Sequence, residues 1–117
     1  MLYKVVNYYY NSVMTEGKYR KHYVPGSIVS ANKNTIGLML FKDLESAIGY
    51  IYPNNDLSRI LEVEPMGTIT KVICISLGAS EYALDCYYKE DQDAITSTPP
   101  FGTVCCRAIK VIREIEL

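Results

Sequence analysis

The chain has 117 residues, of which 49% are hydrophobic and 21% charged, and its net charge at pH 7 is −1. This length predicts one domain, residues 1–117, whose core needs no disulfide staples. No apolar run approaches the ~20 residues of a membrane helix, no export signal is present, and a dedicated nucleic-acid binder is usually basic. We therefore expect a cytoplasmic protein that binds neither membranes nor nucleic acid.

The first predicted elements are short strands separated by turns. Residues 2–6 have a strand-like apolar pattern, and residues 27–31 and 36–41 are two further predicted strands. Pro25 and Gly26 form a turn before the second strand, because proline fixes φ and glycine accepts a positive φ.

A helix over about residues 44–52 is the most clearly marked element. Apolar residues recur every three or four positions between Leu44 and Ile51, which is the spacing of one helical face. Asp43 precedes this run and is predicted to cap the helix, and the Pro-Asn-Asn-Asp sequence of residues 53–56 is predicted to end it.

The middle of the chain predicts two more strands and one ambiguous segment. Residues 60–64 form a predicted strand, and residues 69–76 form another whose apolar centre suggests burial on both faces. Residues 80–88 fit a strand, because their apolar side chains alternate, and equally fit a short helix capped by Ser80.

The end of the chain completes the fold prediction. Residues 89–100 are polar and predict a loop, and residues 103–117 predict one long strand or two bent strands. The whole pattern indicates the α+β class: a mostly antiparallel sheet of about five to seven strands, with the helix at about residues 44–52 packed on one face. Parallel pairing is expected nowhere except around that helix, because no other element is long enough for a crossover.

The tyrosines and cysteines are the residues in this sequence that are most open to a functional role. The chain has eleven tyrosines and no tryptophan, and tyrosine serves both in cores that pair its hydroxyl and on recognition surfaces. Cys74 lies in an apolar run and is expected to be buried. Cys105 and Cys106 are adjacent, so on a strand they point to opposite faces, and the one that faces outward would be the better candidate for a reactive thiol.

Several spaced motifs resemble a known group of proteins. They are a Tyr-x-x-Gly turn at residues 23–26, a Gly-apolar-Phe strand at residues 37–41 and an Arg-x-x-Glu-Val-Glu-x-x-Gly segment at residues 59–67. This pattern resembles small uncharacterised proteins carried by bacteriophages, large viruses and bacteria. The resemblance implies a viral or phage-like provenance and no particular chemistry.

The best functional candidate in the sequence is the segment of residues 18–23, in which cations alternate with aromatic rings. Such a pattern suits a phosphate-bearing ligand whose base stacks on an aromatic ring. The predicted ligand-binding residues are Lys18, Tyr19, Arg20, Lys21, His22 and Tyr23, and the neighbouring tyrosines at positions 8–10 extend the surface. The other interpretation is an exposed loop whose tyrosines pack on the domain.

These residues favour a non-enzymatic module that binds a small anionic or nucleotide-like ligand or a protein partner. An enzyme is a second interpretation, because Glu62 and Glu64 lie two apart and could form an acid–base pair. That interpretation draws on a distant similarity to ADP-ribosyltransferase-like folds, in which a strand with Gly and Phe precedes a helix. A third is a structural protein whose tyrosines bury a homo-oligomer interface. The single histidine and the lack of Cys-x-x-Cys predict no metal, and no nucleotide-binding loop or other cofactor motif is present.

Overall fold

The structure is a computed structural model that describes residues 1–51 and 57–117. It is a single α+β domain, as the sequence predicted. The helices are α1 (Leu44–Ile51) and α2 (Glu81–Tyr88), together with a 3₁₀ turn at Gly17–Tyr19. The strands are β1 (Leu2–Val6), β2 (Ile28–Ser30), β3 (Leu38–Phe41), β4 (Arg59–Pro65), β5 (Thr70–Lys71), β6 (Ile75–Ser76), β7 (Thr96–Ser97), β8 (Thr103–Cys106) and β9 (Ala108–Ile115).

The main sheet has seven strands in the order β2-β9-β4-β1-β3-β8-β5, and each described pair in it is antiparallel. Only Arg107 separates β8 from β9, although three strands lie between them in this order. In a flat sheet that separation would be about 19 Å, whereas two residues of chain span at most about 7 Å. The sheet must therefore curl so far that one of its faces encloses a core.

Two hydrophobic clusters fill the two faces of the curled sheet. The enclosed face holds Leu2 and Val6 of β1 together with buried residues of β3, β4 and β9. The outer face carries Val5, Phe41 and Ile60, and α1 covers them with Ala47 and Ile51. The prediction that the helix packs on one face of a mostly antiparallel sheet is thus confirmed.

The two helix N-termini follow the local capping signals. The Asp43 carboxylate accepts the backbone N–H of Ser46 at 2.8 Å, as predicted for α1. Of residues 80–88, which the sequence left open, Glu81–Tyr88 are helical, and the hydroxyl of the N-cap residue Ser80 accepts the N–H of Ala83 at 3.1 Å. The predicted last helical residue, Tyr52, and the predicted helix break at residues 53–56 lie outside the described residues.

The prediction of one strand buried on both faces at residues 69–76 was wrong. β5 pairs with β8 at an edge of the main sheet, and β6 leaves to pair with β7 in a separate two-stranded sheet. Ile73, between them, is 86% exposed, and Cys74 is half-buried rather than buried. Apolar residues promote burial only where a partner strand or layer is present, and here the chain changes partners. The predicted loop of residues 89–100 contains the short strand β7.

Candidate functional site

A cavity of about 150 Å³ lies where β1 and β3 meet the segment that precedes β2 and the helix α2. Tyrosines are its most frequent aromatic lining residues, and Lys4 contributes the cationic side chain. The lining tyrosines are Tyr19, Tyr23, Tyr50, Tyr87 and Tyr88. The cavity therefore combines flat aromatic walls with one positive charge.

The cavity follows from an incomplete ladder between two central strands. The register of β1 and β3 contains one residue pair, Tyr3 opposite Phe41. Beyond that pair, the Lys4 ammonium donates to the backbone carbonyl of Met39 at 2.8 Å, so a side chain satisfies an acceptor on β3. Residues from both faces of β3 line the cavity, among them Leu40 and Met39, as expected where two strands separate.

Lys4 is the electrostatic centre of the site. Strand alternation places it on the enclosed face with Leu2 and Val6, and its residue exposure is only 8%. Burial disfavours the charged form and lowers the pKa of Lys4 to about 8. The ammonium lies over the Tyr23 ring, 5.0 Å from its centroid. Among the described contacts, the ammonium donates one hydrogen bond, to the Met39 carbonyl, although it has three N–H donors.

Helix α2 forms one wall of the cavity, and polar contacts of Asp85 connect this helix to the 3₁₀ turn. The Lys18 ammonium lies 2.9 Å from the Asp85 carboxylate, and the Tyr19 hydroxyl donates to the same carboxylate oxygen. These contacts, Lys18 first and Tyr19 second, lower the pKa of Asp85. Glu81 accepts the backbone N–H of Lys18 at 2.7 Å. The ring of Tyr19 also packs on that of Tyr88, 5.1 Å between centroids.

The structure brings the two predicted stacking residues, Tyr19 and Tyr23, to the cavity. Tyr23 is 1% exposed, so its ring is a cavity wall rather than part of an open surface. Burial raises the pKa of Tyr19 to about 12, with the hydrogen bond to Asp85 as the next contribution, and burial likewise raises the pKa of Tyr23. Both hydroxyls therefore stay protonated at neutral pH.

The four predicted cationic residues are not lining residues of this cavity. Lys18 pairs with Asp85, and the Lys21 ammonium donates to the side-chain oxygen of Asn32 at 2.5 Å. Arg20 and His22 are exposed. Because the chain is extended from Arg20 to the bridge residue His22, Arg20 and His22 point to one side and Tyr23 points to the other.

Sequence reasoning did not identify Lys4 as a site residue. A usable signal was present: Lys4 lies two residues from Leu2 and from Val6, so a strand that buries both must also bury the lysine. A charged residue in the inward phase of a strand has to be explained by a partner or a function. The contribution of α2 gave no comparable signal, because the sequence left residues 80–88 undecided between strand and helix.

Other predicted reactive groups lie away from the cavity. Glu62 pairs with Arg113 at 3.4 Å, and neither Glu62 nor Glu64 is a lining residue of the tyrosine-lined cavity. Cys105 and Cys106 are each 1% exposed, so the expectation that one of them faces outward was wrong. Both faces of β8 are covered, and burial raises the pKa of Cys105, which disfavours a reactive thiolate.

Comparison of the chain with protein-family models, curated proteins and solved structures finds no match. Within residues 1–51 and 57–117, no three His, Cys, Asp or Glu side chains cluster as a metal site would require. None of the helices described there is long and apolar enough to cross a membrane. The geometry of the cavity is therefore the feature from which a function can be inferred.

Proposed function

We propose that the protein is a binding module that holds a small planar anion in the tyrosine-lined cavity, with the Lys4 ammonium as its counter-charge. The observation that carries the proposal is the buried ammonium itself. Lys4 is 92% buried, faces an aromatic cavity and uses one of its three donors on Met39 among the described contacts. A carboxylate that entered the cavity would supply both an acceptor and a compensating charge.

The size of the cavity supports a ligand with a single ring. An apolar cavity of about 150 Å³ is large enough to take up benzene, and the volume here is about 150 Å³. Sites for drug-sized ligands are about twice this volume or more. A nucleotide-like ligand would therefore place only its base inside, whereas a benzoate-sized monoanion fits as a whole. Arg20 and Lys21, next to the wall residue Tyr19, would attract anions toward the site.

The energetics of Lys4 also support the proposal. The lowered pKa, from 10.5 to about 8, corresponds to a burial cost of about 3 kcal/mol for the charged form. An apolar side chain of similar length would fill the same position without that cost. A bound anion would offset the cost, because an opposite charge within hydrogen-bond distance favours the ammonium.

Calorimetric titration of the full chain with benzoate tests the proposal, and benzyl alcohol serves as the neutral ligand of similar shape. We expect benzoate to bind more tightly than benzyl alcohol. Lys4→Met should weaken benzoate binding by about tenfold to a hundredfold, which is what one hydrogen bond to a charged group contributes. Lys33→Met is the matched control, since Lys33 is exposed and does not line the cavity. Equal benzoate affinities for the Lys4→Met variant and the original chain would contradict the proposal.

The two other functions predicted from the sequence are not supported by an observation comparable to the buried Lys4 ammonium. An ADP-ribosyl-transferring or nucleotide-processing enzyme would need Glu62 or Glu64 beside a cavity. A homo-oligomer or protein interface would use the exposed tyrosines, of which Tyr8 is 54% and Tyr9 71% exposed. Exposure alone does not favour an interface, because isolated apolar side chains are common on protein surfaces.

A further inference from the structure

We propose that the side-chain amine of Lys4 also acts as a nucleophile, and that it condenses with a small aldehyde in the cavity to form an imine. The inference deepens the proposed function, since it depends on the same cavity. It concerns the neutral amine, however, whereas anion binding uses the ammonium. The substrate class is an aldehyde of benzaldehyde size.

The Lys4 nitrogen has two described neighbours, and its residue lines the cavity. The Met39 carbonyl takes one N–H at 2.8 Å, and the Tyr23 ring covers a second side with its centroid at 5.0 Å. Lys4 and Tyr23 both line the cavity. A carbonyl carbon that enters the cavity can therefore approach the nitrogen, which is the geometric requirement for addition.

Burial also makes a larger fraction of this amine neutral than in an ordinary surface lysine. The pKa of Lys4 falls to about 8 because the charged form is desolvated. An appreciable fraction of its amine is thus neutral near pH 8, whereas an ordinary lysine with a pKa near 10.4 is almost wholly charged there. By contrast, the hydrogen bond with Asp85 raises the pKa of Lys18. A lysine desolvated in an apolar pocket is one of the known ways to activate an amine nucleophile.

The chemistry balances without another reactant. The neutral nitrogen adds to the aldehyde carbon and gives a carbinolamine, and the carbonyl oxygen then leaves as water together with both hydrogens of the amine. The C=N bond replaces the C=O bond, and no electrons are gained or lost. Protonation of the imine restores one N–H, and the Met39 carbonyl, which accepts from Nζ at 2.8 Å, can hold that N–H.

Reductive trapping of the full chain tests this inference. The protein is incubated with benzaldehyde and cyanoborohydride at pH 7.5, and peptide mass spectrometry then locates the modified residues. Mapping is needed because α-amino groups in general also titrate near pH 8. We expect Lys4 to gain the mass of benzaldehyde minus one oxygen, at a rate about tenfold or more above that of the exposed Lys33, because Lys4 lines the cavity and burial lowers its pKa. Benzoate should slow the trapping by competing for the cavity.

Two comparisons make the outcome decisive. Lys4→Arg keeps the charge and removes the nucleophile, so it should abolish the modification at this position, while Lys33→Arg should leave trapping at Lys4 unchanged. The wild-type map compares both lysines within one sample and does not depend on how either variant folds. Equal trapping of Lys4 and Lys33 would overturn the inference. If benzoate still binds in that case, the proposed function stands, and if benzoate also fails to bind, both fall.

Discussion

Replacing Lys4 with methionine should stabilise the protein at neutral pH, and the gain should disappear at high pH. Methionine has a similar length and no charge, so Lys4→Met removes a buried ammonium from the enclosed face of the sheet. The cost of that ammonium, from the change in pKa between 10.5 and about 8, is about 3 kcal/mol. The lost hydrogen bond to Met39 and the lost contact with the Tyr23 ring offset about 2 to 3 kcal/mol of that cost. We expect a net gain of at most about 1 kcal/mol at pH 7.

The direction of the pH dependence follows from the lowered pKa. Below pH 8 the lysine is charged in both the folded and the unfolded chain, so the folded state carries the full cost. Between pH 8 and 10.5 Lys4 is mostly neutral in the folded chain and still mostly charged in the unfolded chain. The unfolded chain therefore binds more protons than the folded chain, and the stability of the original chain rises with pH. The advantage of Lys4→Met should therefore shrink by about 2 kcal/mol between pH 7 and pH 10.

Urea unfolding followed by far-ultraviolet circular dichroism measures this difference at pH 7, 8.5 and 10. Tyrosine fluorescence is unsuitable because exposed tyrosines ionise near pH 10. Lys33→Met is the control for removing an exposed lysine. If Lys4→Met were less stable than the original chain at pH 7, or if its stability difference did not change with pH, the account of a desolvated ammonium would be refuted.

Three further substitutions test the wall of the cavity, the strand pairing and the helix α1. Asp85→Asn removes the ion pair with Lys18, so its urea midpoint at pH 7 should fall below that of the original chain. Since the folded-state pKa of Asp85 is lowered, this contribution is present above its unfolded pKa, and the two midpoints should converge as the pH falls through the folded value. Gly37→Ala should lower the melting temperature, because Gly37 has φ of +130° and an added Cβ would lie 2.8 Å from the Cys106 carbonyl oxygen. Gly49→Ala in α1 meets nothing within 4 Å and should raise it; the opposite pair of shifts would contradict the structure.

Elements with local signals were predictable from the sequence. The start of α1 follows from helical spacing and the Asp43 cap, because both lie within a few residues of the helix that they define. Residues 80–88 were ambiguous because Tyr82, Leu84 and Cys86 alternate as in a strand. The Ser80 cap and the packing of Leu84 and Cys86 accompany the helix, while Tyr82 is 72% exposed.

Features that depend on distant partners were not predictable in the same way. The separation of β5 from β6 depends on which strands each one pairs with, and those partners lie at least twenty residues away in the chain. The cavity depends on the single-pair ladder between β1 and β3 and on the position of α2. Tyr19 and Tyr23 could be named in advance because their segment is unusual, whereas Lys4 could be recognised only through the burial of its strand.

The account depends on an anion reaching the Lys4 ammonium inside the cavity. Titration of isotopically labelled protein with benzoate, followed by amide and lysine side-chain resonances, observes this directly. We predict that the largest shifts occur at Lys4 and at its neighbours Met39 and Tyr23, and that the Lys4 side-chain pKa rises when benzoate is bound. Shifts confined to exposed residues such as Arg20 and His22, with the Lys4 resonances unchanged at saturation, would contradict the account.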